Sequence, residues 1–337
     1  MRKINFGIVG LGRMGKIHFD NIRLYCENAS VLAVSNLNPI NQEWVKARGV
    51  YNIYDRFDEM MLNKEIDAVI ISSPTALHSE HIKVAAEAGK AIFCEKPIDL
   101  SLETVREIDH LIKAKEVPFM VGFNRRYDAN LIKIKDDIEK GAIGEPQIIK
   151  ITSRDPAPPS IHYIKSSGGL FLDMAIHDFD TACFLNQQKV VMVYSTGTIF
   201  GDSEIKKAGD IDTAITTLTF ENGSMASIDN SRKSAYGYDQ RVEVFGDLGM
   251  TASKNQLSDT HYLANSKGMH TALPIGFFME RYSSSYLLII KKFIACLLDK
   301  VEIPNASSAG LNALAIAIAA KKSFDQNRVV AMDEIHY

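Results

Sequence analysis

Asp173, His177 and Asp180 stand at i, i+4 and i+7 directly behind the pair Gly168-Gly169, in the segment GGLFLDMAIHDFD. In a helix, at about 100° per residue, the three positions fall within roughly 60° of arc, so the spacing predicts that they share one face. An imidazole with a pKa near the usual ~6.5 can take up and return a proton around neutrality, and a carboxylate one turn away can orient it. Lys96, between Glu95 and Pro97 in the segment CEKP, is a cation of the kind that steadies an alkoxide as it forms. Removal of a hydride from a secondary alcohol needs both roles. The residues alone also admit plainer readings, with His177 as a satisfied core histidine and Asp173 and Lys96 as solvated surface groups.

For Lys96 to act, the chain must carry it to the edge of a ligand crevice, and the first half is patterned to do so. Residues 4–9 read as a buried strand, followed by Gly10-Leu11-Gly12-Arg13-Met14-Gly15 and a helix to about residue 26. This is G-x-G-x-x-G at a strand-to-helix turn, where the glycines permit a tight bend and let a pyrophosphate approach the helix N-terminal amides. A turn that simply needs glycine is the alternative. Strands at 31–35, 68–72, 91–94 and 119–122 alternate with helices at 42–48, 78–88 and 102–115, which predicts a doubly wound parallel α/β sheet. Ligands of such sheets lie beyond the C-terminal strand ends, where Lys96 falls. The second strand ends in Ser35-Asn36, at the point where a carboxylate about 20 residues beyond the glycines commonly reads the adenosine ribose. Asn36 can hydrogen-bond a ribose hydroxyl without repelling a 2′-phosphate, and no Arg or Lys follows before Lys46. NAD is therefore the expected cofactor, with NADP left open.

A chain of 337 residues, 46% hydrophobic and 23% charged, has room for two domains and excludes a disordered or fibrous protein. Its net charge of −3 gives no general attraction to nucleic acid or to an anionic membrane. A small-molecule partner is expected. The four cysteines form no C-x-x-C pair, which argues against a disulfide framework or structural zinc and fits a cytoplasmic protein. The first residues lack the apolar stretch of a signal peptide, and the apolar run 287–290 is far too short to span a bilayer. His78-x-x-His81 has the spacing of two helical metal ligands, but no third ligand stands nearby in sequence and hydride transfer needs no metal, so none is expected.

From about Pro146 the pattern turns β-rich, with strands at 147–153, 190–200, 213–220, 224–230 and 241–246. Asn222-Gly223 between two apolar runs predicts a hairpin. An antiparallel sheet carrying a helix over 170–185 makes this an α+β domain. The proline-rich segment 155–160 predicts a loop at the domain junction, and Tyr236 and Tyr238 alternate along a possible strand. The expected division is 1–122 and 123–337, with the helical C-terminal segment available to pack back on the first domain.

Taken together, G-x-G-x-x-G, Glu95-Lys96-Pro97 and Gly168-Gly169-x-x-x-Asp173-x-x-x-His177-x-x-Asp180, in that order, resemble the Gfo/Idh/MocA oxidoreductase family. VGFNRRYD (121–128) and SAYGYDQRVEVFG (234–246) bring the resemblance closest to its inositol-oxidising members, and it covers nearly the whole chain. The resemblance implies a Rossmann domain, a C-terminal α+β domain with a large, open, mostly antiparallel sheet, and a homotetramer built through that sheet. It implies NAD-dependent oxidation of a ring hydroxyl of a cyclic polyol, myo-inositol first, with scyllo-inositol or an aldose next. By correspondence, Lys96, Asp173 and His177 form the catalytic set. The glycine loop (10–15), Asn36, Ser73, Pro74, Thr75, His78, Glu95 and Lys96 meet the cofactor, and Arg126, Asp180 and Tyr236 join the catalytic set around the substrate. A non-catalytic dinucleotide-binding regulator is the alternative from another class.

Overall fold

The computed structural model describes residues 3–35, 38–200 and 203–335, so Asn36 lies outside the described residues. The chain divides into two compact units, Met1–Asn124 with Ser285–Asn312, and Arg125–Ser284 with Ala313–Tyr337.

In the first unit the chain runs β1 (Ile4–Val9), α1 (Arg13–Tyr25), β2 (Ala29–Ser35), α2 (Pro39–Lys46), β3 (Asn52–Tyr54), α3 (Phe57–Met61), β4 (Ala68–Ile71), α4 (His78–Glu87), β5 (Ala91–Cys94), α5 (Leu102–Lys115) and β6 (Phe119–Val121). The strands form one sheet in the order β3-β2-β1-β4-β5-β6, parallel throughout. This is the doubly wound sheet expected from the alternation. β4 and β5 are short apolar runs buried at every position, as strands covered on both faces require. Val9 pairs with Ile71, and Ile71 with Cys94, so three strand ends stand side by side. α2 begins three residues before the expected start because the Asn38 side chain accepts from Asn41 N–H at 2.9 Å and Pro39 occupies the first turn. β3 and α3 were not foreseen, being too short to show a period.

The second unit contains α6 (Ala129–Glu139), β7 (Pro146–Arg154), α7 (Ile161–Ser167), a π-helical turn (Leu170–Met174), α8 (Ile176–Asn186), β8 (Val190–Thr198), α9 (Ser203–Lys207), β9 (Thr213–Phe220), β10 (Met225–Ser231), β11 (Asp239–Gly246), β12 (Met250–Ser253), the hairpin β13 (Tyr262–Asn265) and β14 (Gly268–Thr271), and α10 (Phe278–Arg281). The chain then continues through α11 (Ser283–Asp299) and α12 (Ser307–Gln326) to β15 (Val330–Ala331). The large sheet has the order β12-β11-β7-β10-β9-β8-β15, antiparallel except where β7 meets β10. Along β9, Ala214, Thr216, Leu218 and Phe220 are buried while Ile215 is exposed, the alternation of a sheet with one packed and one open face. β9 and β10 form the hairpin expected at Asn222-Gly223, with Gly223 in the left-handed region at φ +86°. The proline-rich loop 155–160 joins β7 to α7 inside this unit, which corrects its expected place at a junction. Its prolines end β7 without ending the domain.

Within the first unit, Phe293 of α11 packs its ring against Phe6 and Phe93 at 6.2 and 6.0 Å, and Ser307 at the start of α12 donates to Asp109 of α5 at 2.7 Å. Within the second, Arg125 is ion-paired with the fully buried Asp178 of α8, whose other oxygen accepts from Asn230 at 2.8 Å. Removing one partner of a buried pair strands the other charge in a medium that solvates it poorly. Asp178→Ala is expected to lower the unfolding free energy by about 3–5 kcal/mol in urea titration. A loss below about 1 kcal/mol would mean that water reaches Arg125.

Candidate active site

The turn between β1 and α1 leaves no room for a side chain at Gly10 or Gly15. Gly10 sits at φ +84°, and a Cβ there would come within 2.5 Å of the Ser73 amide. A Cβ on Gly15 would run into the Gly10 carbonyl, whereas Gly12 has open space above it. Ser72, just past β4, donates to the Gly10 carbonyl at 2.7 Å and ties the turn to the neighbouring strand end. On the other side, the Leu11 carbonyl accepts from Asn41 at 3.0 Å. Gly12 begins α1 with no side-chain cap, and the first turn holds no acidic residue. The amides of Arg13, Met14 and Gly15 therefore head a helix whose partial positive charge favours a phosphate. A dinucleotide pyrophosphate fits this cradle.

Ser73, Pro74 and Thr75 form the loop that leads into α4. His78 is 2% exposed, with Nδ1 2.8 Å from the Pro97 carbonyl and Nε2 2.9 Å from the Ser73 carbonyl. Burial pulls the ring's pKa below its ordinary value. Both ring nitrogens face backbone carbonyls inside the unit. Beyond β5, Glu95 is buried with Oε1 2.7 Å from His18 Nε2, so its carboxylate is likewise occupied inside the unit. Lys96 is partly exposed, and its peptide bond to Pro97 is cis.

In the second unit, the helix expected over 170–185 is not one helix. Ala175 N–H bonds to the Leu170 carbonyl at 2.9 Å, the i→i+5 closure of a π turn, and α8 starts only after it. The 60° arc calculated for a uniform α-helix does not carry across that change of pitch. Asp173 lies in the π turn, buried, and accepts from Tyr163 Oη at 2.9 Å, while His177 is partly exposed on the first turn of α8. Asp180, expected at the substrate, is fully enclosed, and both its oxygens accept from Arg126, at 2.9 and 2.6 Å. The fork-to-carboxylate geometry holds the Arg126 guanidinium in one orientation.

Tyr236 sits in a turn before β11, not on a strand with Tyr238, and its hydroxyl bonds to Asp239 and accepts from Arg154 at 3.0 Å. It lines a cleft of about 570 Å³ with Arg154, Phe200, Asp212 and Asp229. Asp173 and His177 are not among the walls of that cleft.

Sequence reading missed Asp155, which it counted only as loop. Burial pushes its carboxyl up to about 6, opposed by Arg232 and Arg125 and reinforced by Asp173 and Asp178. Its neighbours lie from 18 to 77 positions away in the chain, so no local spacing could have marked it. Tyr163 and Arg125 were missed for the same reason.

The sequence matches the profile described as "Oxidoreductase family, NAD-binding Rossmann fold" over residues 4–123 and the "GFO/IDH/MocA C-terminal domain" over residues 131–252. It is 40% identical to a myo-inositol 2-dehydrogenase of Thermotoga maritima, over 98% of this chain and 99% of that protein. It is 41% identical to an inositol 2-dehydrogenase of Rhizobium meliloti, again over 98% and 99%. Among solved structures, a scyllo-inositol dehydrogenase of Lactobacillus casei with bound NAD(H) and scyllo-inositol superposes with a TM-score of 0.93 at 31% identity, over 98% of this chain and 100% of that one.

A raised carboxyl pKa means that the folded state prefers the protonated form, so the stability tied to it is present in acid and is lost as pH rises through the folded value. Asp155→Asn removes that titration. The unfolding free energy of the variant relative to the parent is expected to be flat below about pH 4, to grow in the variant's favour between about pH 4 and 6, and to level off above that. Parallel curves across pH 4–8 in urea titrations would show that Asp155 ionises like a solvated carboxylate.

Proposed function

The chain belongs to the Gfo/Idh/MocA oxidoreductase family, and on that premise we propose that it oxidises one ring hydroxyl of a cyclic polyol to a ketone, with NAD as hydride acceptor and myo-inositol as first substrate. The observation that carries this reading is the end-to-end correspondence with relatives whose names assign them to inositol. scyllo-Inositol is the second substrate, favoured by the neighbour that holds it.

When bound, NAD supplies the acceptor for the hydride. The chain supplies the rest. The glycine loop 10–15 and the α1 amides hold the pyrophosphate, and Ser73, Pro74 and Thr75 lie along the dinucleotide. His177 takes the hydroxyl proton as the alcohol is oxidised and returns it in the reverse direction. Lys96 hydrogen-bonds the reacting oxygen and favours its negative charge, and Asp173, held by Tyr163, orients His177. Arg126, kept in place by Asp180, presents its remaining donor surface to substrate hydroxyls, while Tyr236 contributes from its turn. NAD is preferred over NADP because no basic residue stands between Asn36 and Lys46 to clamp a 2′-phosphate. In solution the protein is a homotetramer, assembled through the open face of the large sheet, where Met192, Ile215, Met225 and Phe245 are exposed. The cytoplasm is the proposed compartment, consistent with four free cysteines; among the described residues no helix is long and apolar enough to cross a membrane.

Reduced-cofactor absorbance, crossing NAD and NADP against myo-inositol, scyllo-inositol and aldoses, tests the reading. Turnover is expected with an inositol and NAD, falling about 10²- to 10⁴-fold in Lys96→Ala and in His177→Ala. Unchanged turnover in both variants would remove the assigned roles, and cofactor binding without turnover on any polyol would favour the regulator. Ile215→Asp places a charge on the open sheet face and is expected to shift the mass seen by analytical ultracentrifugation to smaller species. An unaltered tetramer would place assembly elsewhere.

A further inference from the structure

Lys96 is flanked by two residues that are each held by a buried histidine, and the chemistry above uses neither histidine. His18, on α1, is fully buried; its Nε2 meets Glu95, and its ring packs edge-on to Phe93 and Tyr286 at 5.0 and 6.2 Å. His78, the first residue of α4, meets the carbonyl of Pro97 on the other side of the lysine and, through its second nitrogen, the carbonyl of Ser73. α1 grows out of the glycine loop and α4 out of the Ser73–Thr75 segment. Each histidine thus joins one candidate cofactor loop to one neighbour of Lys96. The glycine at 122 fits the same arrangement, since a Cβ there would come within 2.9 Å of the Glu95 carboxylate and 3.2 Å of its Cα.

The His78 contacts have a chemical peculiarity. Both partners are carbonyl oxygens, and a neutral imidazole has only one N–H to give, so both bonds are complete only in the protonated ring. Burial opposes that charge and outweighs the two carbonyls, Glu95 and Asp99, which favour it, so the neutral ring gives its one N–H to one carbonyl while its other nitrogen rests against the second. His81, one turn along α4, is the nearby group whose protonation would compete with that of His78.

We propose that His78 is a positioning residue: its imidazole straps the Ser73 loop to the Lys96–Pro97 turn, so that seating the cofactor and aiming Lys96 are one event, while His18 secures Glu95 from the opposite side. The proposal rests on Lys96 being the group that steadies the alkoxide. Hydride transfer tolerates little misplacement, an error of about 1 Å costing about 100-fold in rate.

His78→Phe keeps a ring of similar size and removes both polar contacts; His78→Gln keeps a donor that can reach one carbonyl. NAD affinity would be measured by calorimetry without polyol, and kcat and KM on the polyol turned over by the parent. The expected result for His78→Phe is a Kd for NAD raised about tenfold and a kcat lowered about 10- to 100-fold, with KM for the polyol within about twofold. His78→Gln is expected to recover part of both losses. Unchanged NAD affinity and kcat in His78→Phe would overturn the proposal, whatever the melting temperature does. Weaker NAD binding with unchanged kcat would overturn the coupling to Lys96. Lys96→Ala, assayed in parallel, separates the two readings: if it keeps full turnover, the alkoxide role fails, while weakened NAD binding in His78→Phe still supports a strap on the cofactor loop. If His78→Phe does not fold, ¹⁵N-histidine spectra of the parent decide. A ring N–H proton of His78 protected from exchange supports the strap, and a freely exchanging ring overturns it.

Discussion

The close approach of backbone to backbone between Gly10 and Ser72-Ser73 is the constraint on which the first unit's chemistry depends. Parallel pairing sets Val9, Ile71 and Cys94 in a row, so the segments leaving β1, β4 and β5 all emerge at one edge of the sheet. Those three exits are the glycine turn, the Ser73–Thr75 loop and the Glu95-Lys96-Pro97 turn. A Cβ at Gly10 would drive the first two apart, and the Ser72 hydroxyl on the Gly10 carbonyl holds them together. His78 then joins the second to the third. The edge of the sheet is therefore a hydrogen-bonded frame, and the helix N-terminus it presents, with no side-chain cap at Gly12, favours a phosphate.

The second unit solves a different problem, that of keeping charges inside a packed layer. Arg125 and Arg126 are adjacent, and each finds a carboxylate on α8, at Asp178 and Asp180. Such ions are tolerated away from water only when paired and hydrogen-bonded, and Asn230 and Ser153 complete the set around the first pair. The cost of separating either pair fixes α8 against the segment before α6. The π turn ahead of α8 inserts one residue into the helical register and delivers Asp173 to Tyr163. Extra-residue turns of this kind are found most often at functional sites, where a side chain has to be aimed away from the regular helical face.

Much of the frame was legible because it is local. The β1 strand, the glycine turn and α1 carry their own periods and their own punctuation, and α5 matches its expected span of 102–115 residue for residue. Asn222-Gly223 announced its hairpin through the backbone conformation it demands. Elements failed to show where they were shorter than a period, as with β3 and α3, or where one hydrogen bond changed the pitch, as at Ala175. The candidate site divides along the same line. Lys96, Asp173 and His177 could be picked out by type and spacing, whereas Asp155, Tyr163 and His18 owe their positions to partners that are distant in sequence.

The sequence by itself determined which residues are able to do chemistry and the class of sheet that would carry them, because residue type and period are properties of the chain read in order. Only the tertiary structure decided how those residues are used: that Asp180 is spent on Arg126, that Glu95 is held by His18, and that His78 spans two carbonyls 24 positions apart. Burial and hydrogen-bond partnership are properties of neighbours in space, and parallel pairing brings together strand ends that the sequence separates by a full helix and more.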